Sequence, residues 1–173
     1  MNIIRPKNSL EMLEPLGANV VSLGEISSML DGTQMFRDFE WPLIEALSGY
    51  IHLYRASPGV VLFHEGDPGN FMCVVIKGRL DILKQDMQHE DKTVASVHAG
   101  RSLGEMALVD NETRSATAVV IETAVLAVLT QENFQAITQD KPVLAVRLLL
   151  KIAQLISQRL RHTSGILIDY LDK

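Results

Sequence analysis

The residues best equipped for chemistry lie together in the segment Ser102-Leu103-Gly104-Glu105-Met106-Ala107-Leu108-Val109-Asp110-Asn111-Glu112-Thr113-Arg114-Ser115-Ala116-Thr117. Gly104 has no side chain, so its backbone can approach a bound group closely. A helical turn starting at Glu105 would aim free N–H groups at an anion. Nine residues on stands Arg114, at the head of an expected strand. A guanidinium can grip a phosphate through two parallel hydrogen bonds. The N–H and hydroxyl of Ser115 add donors. Glu105 carries the wrong charge for an anion, but suits a hydroxyl: a carboxylate accepts a hydrogen bond from a ribose 2′-OH. Phosphate and sugar hydroxyl held side by side describe a ribonucleotide.

The dipeptide Gly-Glu is uninformative by itself, and the chain carries its own control. Ser22-Leu23-Gly24-Glu25 repeats four letters of the segment, but the position nine residues past Glu25 is Gln34 and no strand with small residues follows. This copy reads as part of a helix. For the second copy, the competing reading is a surface salt bridge between Glu105 and Arg114, worth ~0–1 kcal/mol.

Other chemistries find little support. No Ser/His/Asp order, metal-ligand spacing or carboxylate pair stands out, so no enzyme and no metal site is expected; a phosphodiesterase would need a dense His/Asp cluster. His52, His64, His89, His98 and His162 have no pattern around them and read as surface or structural. The single cysteine, Cys73, excludes an internal disulfide, and its apolar run Phe71-Met72-Cys73-Val74-Val75-Ile76 predicts a buried, inert thiol. The net charge of −5 speaks against nucleic acid as a partner. No stretch reads as a signal peptide or membrane span, which leads to the expectation of a cytoplasmic protein without a membrane partner.

The elements that must position the segment follow from pattern. Residues 1–20, with Pro6, Pro15 and Gly17, read as a loose lead-in with one helical turn. Ser22–Leu30 and Trp41–Leu47 read as short helices. Residues 21–140 form the expected central domain. From Ile51 onward, β-rich runs at 51–55, 60–64, 71–76, 79–84, 93–97, 115–120 and 124–129 alternate with Gly/Pro/Asp/Asn turns. Short strands at even spacing predict a mainly β fold, a sandwich or a jelly roll of about eight strands. Thr130 caps a helix at Gln131–Thr138. Residues 141–173 carry a long helix from Val143 to about Tyr170. Leu149, Ile152, Ile156, Thr163, Ile166 and Tyr170 make a heptad-like seam interrupted by Arg159. That helix either packs on its own sheet or pairs with its twin in a homodimer.

Two segments carry a resemblance. Gly66-Asp67-Pro68-Gly69-Asn70-Phe71-Met72-Cys73-Val74-Val75-Ile76-Lys77-Gly78-Arg79-Leu80 and the Gly104–Thr117 cassette resemble the cyclic-nucleotide-binding domain family, over about Met35 to Ser164. That family includes catabolite activators, regulatory subunits of the cAMP-dependent kinase and cyclic-nucleotide-gated channels. The resemblance implies a double-stranded β-helix roll, with Glu105 on the ribose 2′-OH and Arg114 on the cyclic phosphate. Gly104, Met106, Ala107 and Ser115 would line phosphate and sugar, and the C-terminal helix would lid the base. Arg159-Leu160-Arg161-His162-Thr163-Ser164 is similar to the stretch of catabolite activators whose Thr-Ser pair contacts adenine, the serine coming from the partner subunit. Thr163 and Ser164 then favour cAMP; Ser115 is compatible with cAMP or cGMP. No catalytic cofactor is implied. Unlike catabolite activators, the chain stops at Lys173 before any winged helix-turn-helix. The expectation is therefore a stand-alone sensor that signals through its C-terminal helix to a dimer mate or a separate effector protein. The alternative is a ligand-independent interaction module on the same roll.

Overall fold

The structure is a computed structural model that describes residues 9–17 and 19–171. A 3₁₀ turn at Ser9–Met12 leads into strand β1 (Glu14–Leu16), followed by helices α1 (Leu23–Asp31) and α2 (Trp41–Ser48). Strands β2 (His52–Ala56), β3 (Val61–Phe63), β4 (Phe71–Gln85), β5 (Asp91–His98) and β6 (Ser102–Leu103) come next. Helix α3 (Met106–Asp110), strand β7 (Thr117–Thr130), helix α4 (Gln131–Asp140) and helix α5 (Pro142–Leu171) complete the order.

The fold is the mainly β roll that the turn spacing predicts, with seven antiparallel strands among the described residues. The count agrees with the expected eight or so, but the boundaries differ from the sequence runs. The runs 71–76 and 79–84 belong to one strand, β4, and the runs 115–120 and 124–129 are joined in β7. The Lys77-Gly78 pair is a bend within a continuous ladder: register shifts at Val75/Lys77, Lys77/Arg79 and Arg79/Leu80 swivel β4 against β7. Gly78 has φ 89°, and a Cβ there would stand 2.4 Å from the Thr123 carbonyl oxygen. The first half of β4 pairs with β6, its second half with β5, and β7 runs beside both. Strands β2 and β3 flank the two halves of β7.

Strand alternation divides the core in two. Phe71, Cys73 and Val75 point into the roll, with Leu62, Phe63, Leu80, Leu126 and Val128. Met72 and Val74 point the other way, onto Ile44, Leu47, Ile137, Leu148 and Ile152 of the helices. Burial on both faces is why 71–76 is apolar without alternation. Cys73 is fully buried, and that burial pushes its thiol up to about 12.

Two expectations need correction. The stretch before α1 is more than a loose lead-in. Leu10 and Leu13 are buried in the roll, and β1 pairs with β2 through Glu14↔Arg55, Pro15↔Tyr54 and Leu16↔Leu53. Proline suits this place because β1 is the outermost strand and needs no outward donor. Residues 1–8 of that lead-in lie outside the described residues. The proposed seam of α5 is also divided. Ile152 is buried and Ile156 packs against the protein's own helical core, whereas Leu149 and Ile166 are exposed; the side chain of Tyr170 lies outside the described residues. The other helices keep the expected places. In α1, the Ser22 hydroxyl accepts from Glu25 N–H and Glu25 Oε2 accepts from Ser22 N–H, so the first Ser-Leu-Gly-Glu copy is a capping box.

Candidate functional site

The two segments singled out in sequence meet in space. Arg114 N–H donates to the Asp67 carbonyl at 2.8 Å, and Gly66 N–H donates to the Arg114 carbonyl at 2.8 Å. Pro68 and Thr113 form a β-bridge between them. Gly69 lies so close to α3 that a Cβ would come within 2.2 Å of the Ala107 Cβ. The 66–70 turn is thus the seat on which the cassette rests.

Within the cassette, β6 ends at Leu103, Gly104 turns with φ 77°, and Glu105 stands at the N-cap position of α3. Positive φ favours glycine here. Asn111 closes α3 in the left-handed region at φ 56°. Glu105 is fully buried and Arg114 is 4% exposed, both rare for charged groups. Ala107 is buried, Gly104 half-buried, and Met106 and Ser115 exposed. Arg114 lies three residues before β7, next to the bridge residue Thr113, rather than at the head of the strand as the sequence suggested.

Arg114 points inward. Its Nη1 donates to the Gly104 carbonyl at 3.2 Å and its Nη2 to the Phe71 carbonyl at 2.8 Å. Its Cζ lies 4.1 Å from the Phe63 ring centroid and 4.5 Å from that of Phe71. Burial lowers its pKa from the usual arginine value, opposed by the nearby Cys73, Asp67 and Glu105. Glu105 and Arg114 make no salt bridge with each other. Glu105 is paired with Arg159 of α5, whose Nη1 donates to Glu105 Oε1 and whose Nη2 donates to the Ser102 carbonyl at 2.7 Å.

The remaining polar atoms matter most. Glu105 Oε2, Arg114 Nε and Ser102 Oγ are buried and have no hydrogen-bond partner within the protein. A buried polar atom without a partner costs about 1–3 kcal/mol. Around this cassette the chain therefore holds a spare carboxylate acceptor and a spare guanidinium donor. That donor set fits a ligand carrying a hydroxyl and an anionic oxygen.

Thr163 and Ser164, expected at the base, are both exposed on α5, and among the described residues neither side chain hydrogen-bonds to the cassette. Thr163 lies four residues beyond Arg159, on the same helix face and about 6 Å further along the axis. In the sequence Arg159 has no role of its own: it stands as a break in the seam and as the first residue of the stretch that leads to Thr163 and Ser164. The 54 residues separating it from Glu105 hide the pairing.

A family model of the cyclic nucleotide-binding domain matches residues 54–141, from β2 to the end of α4. The chain belongs to the cyclic nucleotide-binding domain family. The match covers the cassette and its 66–70 seat; α5 and Arg159 lie beyond it. The chain is 27% identical over 133 residues to the cyclic AMP receptor protein of Thermus thermophilus, 77% of this chain and 60% of that protein. It is 26% identical over 160 residues to lysophospholipase nte1 of Aspergillus oryzae, 90% of this chain and 9% of that one. It thus spans less than two thirds of either relative. Among solved structures, a cyclic nucleotide-binding domain from Methylobacillus flagellatus superposes with a TM-score of 0.78 at 28% identity, covering 91% of this chain and 89% of that one. The matched family is a binding domain; an enzyme such as the lysophospholipase is a longer chain that includes a similar stretch. Among the described residues no helix is long and apolar enough to cross a membrane, and no cluster of His, Cys, Asp and Glu could hold a metal ion.

Proposed function

We propose that this domain is a regulatory sensor that binds a cyclic nucleotide, cAMP in preference to cGMP, and signals by moving α5. The observation that carries the reading is the set of spare polar atoms at the cassette, Glu105 Oε2 and Arg114 Nε. Glu105 takes the ribose 2′-OH and Arg114 the cyclic phosphate. Gly104, Met106, Ala107 and Ser115 surround phosphate and sugar, and Thr163 and Ser164 serve the base. The resemblance to a cyclic AMP receptor protein supports cAMP as the ligand.

The mechanism is a population shift. In the present arrangement Arg159 ties α5 to the cassette through Glu105 and Ser102. A nucleotide that engages Glu105 competes for the same carboxylate, so binding and the position of α5 are coupled. The helix also offers a way to pass the signal on. Val143, Val146, Leu150 and Leu160 stand 54–70% exposed along it. Their spacing approximates a heptad stripe on the side away from Leu144, Leu148 and Ile152, and suits a second copy of this chain or a separate effector.

The ligand-independent interaction module draws on the fact that Arg114 and Glu105 already have partners inside the protein. Calorimetric titration with cAMP and cGMP decides between the readings. Saturable binding, tighter for cAMP, is expected. Folded protein that takes up neither nucleotide supports the module.

A further inference from the structure

Between α5, the Gln34-Met35 segment and the turn that leads into β6 lies a cleft of about 330 Å³, with Arg159 in its lining. Its polar wall is Gln34, Arg101, Ser102, Gln158, Arg159 and His162. Met35, 2% exposed, and the half-buried Leu155 add apolar surface. None of the cassette residues from Gly104 to Ser115 lines it, and neither does any aspartate or glutamate. We propose that this cleft is a separate binding site for a small organic phosphomonoester, its phosphate held by Arg101 and Arg159 and its organic part against Met35 and Leu155.

Three observations support this chemistry. First, the wall combines two guanidinium groups with an imidazole and two amides, a cationic lining in a chain whose net charge is −5. Second, these groups have donors to spare. Among the described residues the side chains of Gln34, Arg101, Gln158 and His162 make no hydrogen bond or ion pair, and Arg159 uses only one donor on Glu105 and one on the Ser102 carbonyl out of the five a guanidinium carries. Third, Ser102 lines the cleft at 3% exposure, and its hydroxyl is one of the buried atoms without a partner. The cleft lies at the lower end of small-ligand volumes, about 300–1,000 Å³. A phosphomonoester dianion suits paired guanidinium groups better than a singly charged cyclic phosphodiester, because it carries a second negative charge and a third terminal oxygen for the second guanidinium.

The test adds phenyl phosphate to the full chain with no nucleotide present, and follows amide chemical shifts of isotope-labelled protein. Saturable shifts are expected at Gly100, Ser102 and Gln158. Arg101→Ala should weaken them about tenfold or more, the loss of one charge-assisted contact. That variant keeps the backbone bonds Arg101 N–H to His98 and Val75 N–H to Arg101, and Gln158→Ala gives a second, independent removal. Three results overturn the proposal: no saturable shift, equal binding by wild type and Arg101→Ala, or shifts confined to Gly104, Ala107 and Ser115. Since no nucleotide is used, failure of the cyclic-nucleotide reading would leave this result intact, and the reverse also holds.

Discussion

The guanidinium of Arg159, on the C-terminal helix, is the partner of the buried Glu105 carboxylate on the cassette, and the same guanidinium holds the Ser102 carbonyl at 2.7 Å. One long-range contact therefore ties the element that would move to the element that would bind. The two partners are unequal. Glu105 is fully buried, while the Arg159 side chain is 51% exposed.

That inequality predicts an order of effects. Removing Arg159 leaves a buried carboxylate without its cation, whereas Glu105→Gln leaves a guanidinium that water can reach. Arg159→Ala should cost about 1–3 kcal/mol of stability and Glu105→Gln less. Urea unfolding of the two variants and of the double variant gives both the order and the coupling energy.

Arg114 is held by shape as much as by charge. A lysine would keep the charge but cannot bridge the Gly104 and Phe71 carbonyls while offering a planar cation to the Phe63 and Phe71 rings. Arg114→Lys should lower stability by about 1–3 kcal/mol and weaken cAMP binding about tenfold or more. Urea unfolding and calorimetry measure the two losses separately.

Much of this site is visible in the residues themselves. Gly104, Glu105 and Arg114 stand at a spacing that demands a close-approach turn and a returning strand, and the structure supplies both the turn and the return. The β-rich runs separated by turn residues likewise indicate a mainly β fold. What pattern could not reveal is tertiary. Lys77-Gly78 has turn chemistry but lies inside a bent strand, because β7 runs unbroken past it. Pro15 reads as a breaker, yet an outermost strand tolerates it. The inward turn of Arg114 depends on two carbonyls and two rings from other elements, and Arg159 meets Glu105 only through the path of α5. Ile152 and Ile156 share heptad spacing with exposed neighbours, and only their packing in the helical core separates them from that seam.

The Cys73 thiol gives a pH dependence with a definite sign. Its pKa rises from an ordinary value of 9.0 to about 12 through burial, so the folded state keeps the proton that the unfolded state releases. The contribution to stability is full below pH 9 and is lost as pH climbs toward 12. Urea midpoints of wild type and Cys73→Ala should therefore converge as pH rises through that window. Below it, the native thiol should resist a thiol reagent such as DTNB until the chain unfolds.

The exposed stripe of α5 predicts self-association. Leu150 and Leu160, 56% and 66% exposed, contribute little to the core of one chain. Replacing both with glutamate should leave the thermal midpoint of the isolated chain nearly unchanged while shifting sedimentation from dimer to monomer. A wild-type protein that sediments as a monomer at high concentration would leave the stripe to a different partner.

Titrating cAMP against 2′-deoxy-cAMP tests directly the claim that Glu105 accepts a ribose hydroxyl. Wild type should bind cAMP about tenfold or more tightly than the deoxy analogue, and Glu105→Gln should narrow the difference. Equal affinity of folded wild-type protein for both ligands, or no binding of either, would contradict it.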